Sequence, residues 1–399
     1  MERLRRTDVP SAGRRVRTGP GGVLRAVLRH GPLARSTLAR VVGQSPASIT
    51  GQSAELIEAG LLREAPELAA PKAVGRPHMP VDIDTGRFVA GALHIGVPYS
   101  TVALLDLRGR VLTEDRRDHR STDPADLVAD AADRLRKLLA AEDRVPLGVG
   151  VATGGWVDQD DGRIIEHPLI GWRGVPIGDL LAGEIGLPVW VDGHSRALTS
   201  AEELFGQGLD ASSVVQLFIG NVVDAAFAVD GVVHYGPRSA AGGVAHLPVA
   251  GSGEPCFCGR TGCFQVTVSE ATLVRRALAA GVVGRPHFPD LVRAAMDGSP
   301  FAVELFHERS IRVGRAVATL LDLLNPDRLI LADAAVVHVP GCLEHVHRQV
   351  REHSFACAHP ESTVIATSFR EHTLSVAAGT VMLHRLYTDP LGVSRGGSR

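Results

Sequence analysis

The stretch 252-SGEPCFCGRTGC-263 decides how the rest of this chain is interpreted. It holds Cys256, Cys258 and Cys263, three of the five cysteines in a chain of 399 residues. The glycines between them allow tight turns that bring the sulfur atoms together. On these residues alone a metal site, a redox device and a simple turn all remain open.

His246 precedes this stretch and completes the spacing His-x9-Cys-x-Cys-x4-Cys. Four such ligands make a tetrahedral site, and three thiolates with one imidazole favour zinc. Because the protein fills all four positions, this zinc is expected to be structural and not catalytic. A disulfide is the weaker alternative, since a Cys-x-Cys bridge is strained and one thiol would remain. Nothing near Cys342 and Cys357 suggests a site, and they are interpreted as ordinary thiols.

The composition is that of a soluble globular protein, with 45% hydrophobic and 22% charged residues. The length predicts two or three domains. No run reaches the roughly 18 apolar residues that a membrane span needs, and the opening MERLRRTDVP lacks the apolar core of a secretory signal. Five cysteines outside a secreted context do not form a disulfide framework, so we expect a cytoplasmic protein.

Charge divides the chain into a basic beginning and an acidic remainder. Residues 1–80 contain 13 Lys and Arg against 6 Asp and Glu, a local charge of +7, while the whole chain carries −2. A basic end on an acidic body predicts contact with a polyanion. Residues 1–20 are interpreted as a basic flexible arm.

Residues 21–85 carry the pattern of a winged helix-turn-helix domain. A first helix shows one apolar stripe beginning at Val23 and breaks at the turn HGPL. A second short helix, Ser36 to Val42, closes at a glycine. A third begins with Ser45 as N-cap and a proline at its first position. Strand, loop and strand follow as a wing whose tip reads PKAVGRP.

The third helix and the wing tip supply the candidate DNA contacts. The helix carries no Arg or Lys that could reach guanine in bidentate fashion, so its polar side chains are suited to phosphates or adenine. An arginine at the wing tip suits a narrow minor groove. A helical bundle that binds no DNA is the alternative. The candidate contacts are Ser45, Ala47, Ser48, Thr50, Gly51, Gln52, Lys72 and Arg76.

From residue 88 onward strands and helices alternate, which predicts an α/β body. Its motifs include "ALLDLRGRVL", "GVGVATGGWVDQDDGRI", "GLPVWVDGHSRALTSAEELFG" and "AGGVAHLPV", followed by the cysteine stretch. Together with the winged head, they resemble the ROK family of repressors, open reading frames and sugar kinases, from about residue 22 to 388. The regulator branch, with the xylose and N-acetylglucosamine repressors, is the most similar.

The resemblance implies an actin-like, ribonuclease-H-like body of two lobes with a sugar cleft between them. It places the first lobe at residues 88–197 plus about 372–388, and the second lobe, with the zinc loop, at 198–371. Residues 389–399 are expected to be a flexible tail. The cysteine spacing also matches the family's zinc motif, and family members are dimers or tetramers.

The resemblance also locates the nucleotide-binding turns of the family's kinases, and this chain has replaced all three. They read HIGVPYS at 94–100, GNV at 220–222 and Ala332-Asp333. Phosphate cradles favour glycine because its backbone amides approach closely. The family's catalytic aspartate falls on His194 when the sequence is aligned on ALTSAEELFG, and a shifted alignment would offer Asp192 instead. We therefore expect no enzyme activity.

The family's sugar site is depleted as well. Its Glu-x-Gly-His motif reads GVAH at 243–246, and a further glutamate is replaced by Gln265. A neutral sugar is therefore expected to bind weakly or not at all. The alternatives are that the effector is another small molecule, in particular an anionic one, or that there is no effector. The candidate effector-pocket residues are Gly154, Gly155, His194, Arg196, His246 and Gln265.

The head and body together predict a DNA-binding transcriptional regulator, most simply a repressor. Its expected partners are double-stranded DNA, a possible small-molecule effector and copies of itself in a homodimer or homotetramer. Two alternatives stay open: a sugar kinase with a fused DNA-binding head, and a zinc-stabilised scaffold that binds other proteins.

Overall fold

A computed structural model describes residues 19–68 and 79–396, with side chains through Ser394. Its N-terminal part is a three-helix head with a small three-stranded sheet. The head elements are α1 (Pro20–His30), β1 (Leu33–Ala34), α2 (Arg35–Val42), α3 (Pro46–Glu58), β2 (Leu62–Glu64) and β3 (Pro80–Ile83).

The head folds as a winged helix-turn-helix, which confirms the expected fold. Ser45 caps α3 with its Oγ accepting from the Ser48 amide at 3.2 Å, and α2 ends at Gly43 in the left-handed conformation. Buried apolar residues from all three helices form its centre: Val23, Leu24, Leu38, Ile49 and Leu56. Strands β2 and β3 pair antiparallel as the base of the wing. The tip with Lys72 and Arg76 lies outside the described residues.

The body continues with two lobes. The elements of the first part are β4 (Phe88–Ile95), β5 (Tyr99–Leu105), β6 (Val111–Asp118), α4 (Pro124–Ala140), β7 (Val145–Thr153), β8 (Trp156–Asp158), β9 (Arg163–His167), β10 (Trp172–Val175), α5 (Ile177–Ile185), β11 (Val189–Gly193) and α6 (His194–Phe205).

The elements of the second part, and of the C-terminal return to the first lobe, are β12 (Ser213–Ile219), β13 (Val223–Val229), β14 (Val232–Val233), α7 (Phe264–Val268), α8 (Glu270–Ala279), α9 (Phe288–Met296), α10 (Pro300–Leu324), β15 (Arg328–Asp333), α11 (Ala334–His338), α12 (Cys342–His353), α13 (Pro360–Thr363), β16 (Val364–Ala366), α14 (Thr373–Thr388) and α15 (Pro390–Gly396).

The two main sheets repeat one topology. The first has the order β6-β5-β4-β7-β11 and the second the order β14-β13-β12-β15-β16. In each, three antiparallel strands formed by hairpins are extended by two parallel strands. Parallel strands need crossover connections, and here helices supply them. This duplication is the two-lobed, actin-like arrangement that was expected.

Residue size decides which helices cover each face of the first sheet. Strand β4 places Leu93 and Ile95 toward α4 and α5, and the smaller Ala90 and Ala92 toward α14. The small face lets α14 approach closely: a Cβ on Gly150 would lie 2.0 Å from a backbone oxygen of α14. The second sheet buries its larger side chains against α8 to α12. No helix among the described residues is both long and apolar enough to span a membrane.

The head and the first lobe share one apolar core. Helix α14 packs against β4, β5, β7 and α6, and its last turn contacts α1 of the head. Tyr387 is fully buried there, and its hydroxyl donates to the Leu107 carbonyl at 2.6 Å. Its own carbonyl accepts from Arg25 Nε at 3.0 Å. The head is therefore packed on the body and not tethered to it by the chain alone.

Two expected boundaries differ from the structure. The boundary at 197/198 falls inside α6, which continues unbroken to Phe205 and packs on α14. The expected flexible tail begins as helix α15, because Leu391 and Val393 pack against the shared core. Apolar contacts of this kind override the weak local signals of a short, glycine-containing segment.

The contact between head and body predicts a large effect of one methyl group. A Cβ on Gly21 would lie 2.9 Å from the Tyr387 carbonyl oxygen, so we expect Gly21→Ala to lower the free energy of unfolding by about 1–3 kcal/mol. Gly51→Ala is the matched control in α3, where a Cβ meets nothing within 4 Å, and should raise it by about 0.5–1 kcal/mol. Urea unfolding measures both. Equal stability of the two variants would contradict the shared core.

Candidate functional site

The four expected metal ligands converge. One ligand atom from each of His246, Cys256, Cys258 and Cys263 lies within 4.8 Å of all the others. His246 Nδ1 is 3.6 Å from Cys256 Sγ, and the same distance separates Cys258 Sγ from Cys263 Sγ. For sulfur about 2.3 Å from a tetrahedral metal, ligand atoms lie roughly 3.8 Å apart. The donor set and its spacing therefore fit one metal ion.

A network of backbone hydrogen bonds shapes the loop around this cluster. The Cys256 amide donates to the Arg260 carbonyl at 2.8 Å, and the Gly259 amide donates back to Cys256 at 3.0 Å. Gly259 and Gly262 both have positive φ, and a Cβ on Gly262 would lie 2.5 Å from the Ser252 carbonyl oxygen. Only glycine fits there, so the sequence motif and the fold of the loop depend on each other.

A hydrogen bond from Arg260 and burial set the proton state of three of the ligands. A hydrogen bond from Arg260 lowers the pKa of the exposed Cys258 thiol to about 6, which favours the thiolate that binds metals. Burial and, secondly, Arg260 lower the pKa of His246, which keeps its imidazole neutral. Burial raises the pKa of Cys263 to about 11. Metal binding would have to displace the Cys263 proton.

A second candidate site is the cleft between the lobes, with a volume of about 1150 Å³. All three replaced nucleotide turns line it: residues 94–99, Gly220 to Val222, and Ala332 with Asp333. Pro98 has no amide to offer a phosphate. Val222 occupies the space beside Gly154, where a Cβ would meet its side chain at 2.8 Å. The three replaced turns therefore lie together at one cleft.

Three buried histidines line the cleft. His94, His167 and His194 are each no more than 3% exposed. The rings of His94 and His194 are parallel within 6°, and their centroids lie 5.8 Å apart. The ring centroids of His194 and Phe218 lie 4.0 Å apart. His194 Nε2 donates to Asp224 at 3.1 Å. Its Nδ1 and both ring nitrogens of the other two histidines have no hydrogen-bond partner among the described residues.

Burial also sets the charge of two of these histidines. It lowers the pKa of His167 to about 4, and it lowers the pKa of His94 well below the ordinary range, with His194 acting in the same direction. Both rings are therefore neutral at pH 7, and each offers one donor and one acceptor. These two imidazoles therefore present hydrogen-bonding capacity without positive charge. The wider cleft is lined by four arginines and six carboxylates: Arg116, Arg275, Arg293, Arg370, Glu114, Asp118, Glu270, Asp297, Asp333 and Glu371.

The structure divides the expected effector residues. Gly154 and His194 line the cleft. Gly155 is held at a φ of 79° beside the Glu166 carbonyl oxygen, where a Cβ would lie 2.5 Å away. His246 lies in the metal cluster. Arg196 and Gln265 are buried and hydrogen-bonded inside the protein, not among the side chains that line the cleft.

The side chains of Arg196 and Gln265 hold separate backbone segments together by hydrogen bonds. Arg196 donates from Nε to Asp192 at 2.6 Å and from its other nitrogens to the carbonyls of Val157 and Ser239. Gln265 bridges the Val223 amide and the Asn221 carbonyl. Asp192 also accepts from the Tyr235 hydroxyl at 3.0 Å. The shifted alignment with Asp192 as catalytic base therefore places that base in an internal ion pair.

Sequence reasoning missed His167 and Asp224. His167 ends β9 and Asp224 lies in β13, and both come to His194 only through the packing of the lobes. One signal was available for Asp224, because a charged residue interrupts the apolar run VVDAAFAV directly after the GNV turn. No local signal marked His167.

The exposed face of α3 contains the expected DNA contacts. Ala47, Ser48, Thr50 and Gly51 are exposed, and Gln52 is half-buried. Arginines elsewhere in the described head bind partners in their own chain: Arg29 pairs with Asp210 of the body, Arg35 with Glu64 and Arg63 with Glu67. The exposed positions from Ala47 to Gly51 on α3 are thus small or polar and uncharged, while Arg40 of α2 and Glu55 and Glu58 at the far end of α3 are exposed charges.

Comparison with known proteins matches residues 90–384 to the model of the ROK family. A transcriptional regulator of Mycobacterium tuberculosis is 35% identical over 94% of this chain and 86% of its own length. The DNA-binding transcriptional repressor Mlc of Escherichia coli is 26% identical over 83% of this chain and 86% of its own length.

Solved structures show the same fold. A ROK family transcriptional regulator, a homolog of the Escherichia coli Mlc protein, superposes with a TM-score of 0.76 at 24% identity, over 96% of this chain and all of its own. A ROK family glucokinase from Streptomyces griseus, solved with glucose and AMPPNP, superposes with a TM-score of 0.64 at 23% identity, over 73% of this chain and 98% of its own.

The ligand cluster predicts one tightly bound metal ion per chain. We expect Cys263→Ser to lose that ion and to lower Tm by at least about 5 °C, because the loop folds around the metal. Cys357→Ser, outside the cluster, is the control and should keep both. Native mass spectrometry and thermal unfolding measure these outcomes. A wild-type chain purified without chelators that carries no metal would contradict the assignment.

The buried histidines predict a loss of stability in acid. The folded pKa of His167 is about 4, and an unfolded histidine titrates near 6.5. The unfolded chain therefore binds more protons between these values, and the free energy of unfolding falls as the pH drops from about 6.5 to 4, by up to about 3 kcal/mol for this group.

His167→Gln should remove that part of the pH dependence, and His353→Gln, at an exposed position, should leave it unchanged. Urea unfolding at a series of pH values measures the difference. An unchanged slope in His167→Gln would mean that this imidazole is not buried in its neutral form.

Proposed function

The chain belongs to the ROK family, and from that membership we propose that it is a DNA-binding transcriptional repressor with a zinc-stabilised body that does not transfer phosphate. The observation that carries the proposal is the head: a capped recognition helix, α3, with an exposed polar face, packed through α1 onto the body. Phosphate transfer requires no such domain, and binding to other proteins would not require a helix-turn-helix.

The cleft supports a body without phosphotransfer. Pro98 removes one amide from the turn that would cradle a phosphate, the branched Val97 beside it blocks close approach, and Val222 fills the space beside Gly154. His194 stands where the family's kinases carry their catalytic aspartate, and its Nε2 is bound to Asp224. A general base at this position would activate an acceptor hydroxyl, but transfer also needs a bound phosphoryl donor, and the replaced turns offer no cradle for it.

Zinc is the metal that the cluster fits best. Three sulfurs and one imidazole nitrogen are the soft and borderline donors that zinc takes in tetrahedral sites. His246, Cys256, Cys258 and Cys263 would hold it, and no position remains for a catalytic water. The ion would fix the loop between Pro248 and Phe264 against the second lobe, which is a contribution to stability.

The cleft is a binding site for a small, uncharged, hydrogen-bonding effector under this proposal. His94 and His167 are neutral at pH 7 and leave their ring nitrogens unpaired. Unpaired buried polar groups favour a ligand that completes them. An anion gains little from neutral rings, and the four arginines that line the wider cleft are outnumbered there by six carboxylates. The anionic effector considered from the sequence is therefore the less favoured class.

Two helices connect this cleft to the head. His194 begins α6 and Thr373 begins α14, and both residues line the cleft. The two helices pack against each other, and both contact α1. Helix α14 has 16 residues and spans about 24 Å. A ligand that moved the first turns of α6 and α14 would move α1, which links effector binding to DNA binding in both directions.

One recognition helix reads only a few base pairs, so the head is expected to work in pairs on a two-fold site. A homodimer or homotetramer would supply them. The same function places the chain in the cytoplasm, where bacterial DNA lies.

Charge reversal at the wing tests DNA binding. We expect Lys72→Glu with Arg76→Glu to weaken binding to an operator at least about tenfold and to flatten its salt dependence, because two phosphate or groove contacts are lost. The matched control is Arg136→Glu with Lys137→Glu on α4 of the body, where both side chains are at least half exposed.

Fluorescence anisotropy across a salt series measures both variants. Wild-type binding that resists salt, or equal losses in the two double variants, would contradict the proposed interface. Absence of sequence-preferring DNA binding by the wild-type protein would contradict the proposed function.

A further inference from the structure

Three polar side chains on α3 and the turn before it form a closed triangle. Ser48 and Gln52 are four residues apart and share one stripe of α3, and Gln44 lies two residues before the first residue of the helix. Gln52 Nε2 donates to Gln44 Oε1 and to Ser48 Oγ, both at 2.9 Å. Ser48 Oγ donates to Gln44 Oε1 at 3.1 Å. Each side of the triangle is a hydrogen bond.

The triangle uses up most of the hydrogen-bonding capacity of its members. Both amide hydrogens of Gln52 are bound within it, and Gln52 Oε1 is buried without a partner. Gln44 Oε1 accepts twice, which occupies both of its lone pairs. What remains is the amide NH2 of Gln44, which has no partner among the described residues.

The alternative amide orientations are less favourable. Rotating Gln52 alone would place two carbonyl oxygens against each other. Rotating both glutamines would leave the Gln52 NH2, with two hydrogens, in the buried position that its oxygen now occupies. An unpaired buried carbonyl is tolerated better than an unpaired buried N–H donor. The triangle therefore fixes Gln44 with its NH2 free.

We propose that Gln44 reads guanine in the major groove as a hydrogen-bond donor, and that Ser48 and Gln52 position it for this role. The inference rests on the proposed DNA-binding function, because α3 is then the helix whose N-terminal end meets base edges. A glutamine usually reads adenine, donating to N7 and accepting from N6. Gln44 has no free acceptor for the adenine N6 hydrogens, so that pairing is closed to it.

Guanine fits a donor-only group better than any other base. It presents two neighbouring acceptors, N7 and O6, whereas adenine presents one acceptor beside a donor and cytosine presents a donor. Thymine offers O4 alone, next to a methyl group. The head thus gains a guanine-reading group without the arginine that the sequence lacks on this helix.

The test begins with operator selection by the full-length protein from a random DNA library. Each guanine of the selected half-site is then replaced by 7-deazaguanine, which lacks the N7 acceptor. We expect one replacement to weaken binding roughly tenfold. Gln44→Ala should weaken binding to the unmodified site by a similar factor and bind both DNAs equally. Glu58→Gln, at the exposed far end of α3, is the control and should keep the wild-type difference.

Gln52→Leu tests the positioning role. It opens the triangle and frees one lone pair of Gln44 Oε1, which then accepts from Ser48 Oγ alone, so we expect adenine to become acceptable at the guanine position within about threefold. A purely structural role of Gln52 would lower all affinities together and keep the base preference. Circular dichroism and Tm establish that each variant is folded.

The possible failures are distinguishable. Intact operator binding in which Gln44→Ala keeps its sensitivity to 7-deazaguanine, or in which the selected base opposite Gln44 is adenine, overturns the inference and leaves the proposed function standing. Loss of sequence-preferring DNA binding by the wild-type protein overturns both.

Discussion

The packing of α1 against the last turn of α14 is the constraint on which the rest of this structure depends. Gly21 lets the two helices approach until its Cα hydrogen faces the Tyr387 carbonyl, and Tyr387 is anchored in turn by its hydroxyl on Leu107. One apolar core therefore runs from the recognition helix to the sheet beneath the cleft. Since α6 and α14 begin at the cleft and reach α1, a displacement of their first turns at the cleft would displace the head.

The cleft combines the fold of the family with nucleotide-binding turns whose residues have been replaced. Turns that would hold a nucleotide still line it, but Pro98, Val222 and Asp333 have replaced the residues that would make the contacts. The four ligands of the candidate metal site are all present in the loop that ends at Cys263. Under the proposed function the metal contributes stability, and the unpaired nitrogens of the buried imidazoles define what kind of molecule could bind.

Local patterns predicted the parts of the structure that depend on local physics. The glycine turns of the cysteine loop, the Ser45 cap and the alternation of strands all follow from neighbouring residues. The sequence did not reveal that Arg196 and Gln265 turn inward, or that His167 joins His194, because those contacts join segments far apart in the chain. The helix at Pro390–Gly396 was missed because its stability comes from a core that only the folded chain contains.

Hydrogen exchange of the full-length protein tests the central claim most directly, since it reports the free energy of opening for each helix separately. If head and body share one core, the amides of α1 and of the last two turns of α14 should exchange through openings of the same free energy. They should also respond equally to added denaturant. Exchange of α1 at a much lower free energy than α14 would show that the head opens on its own, and would contradict the account.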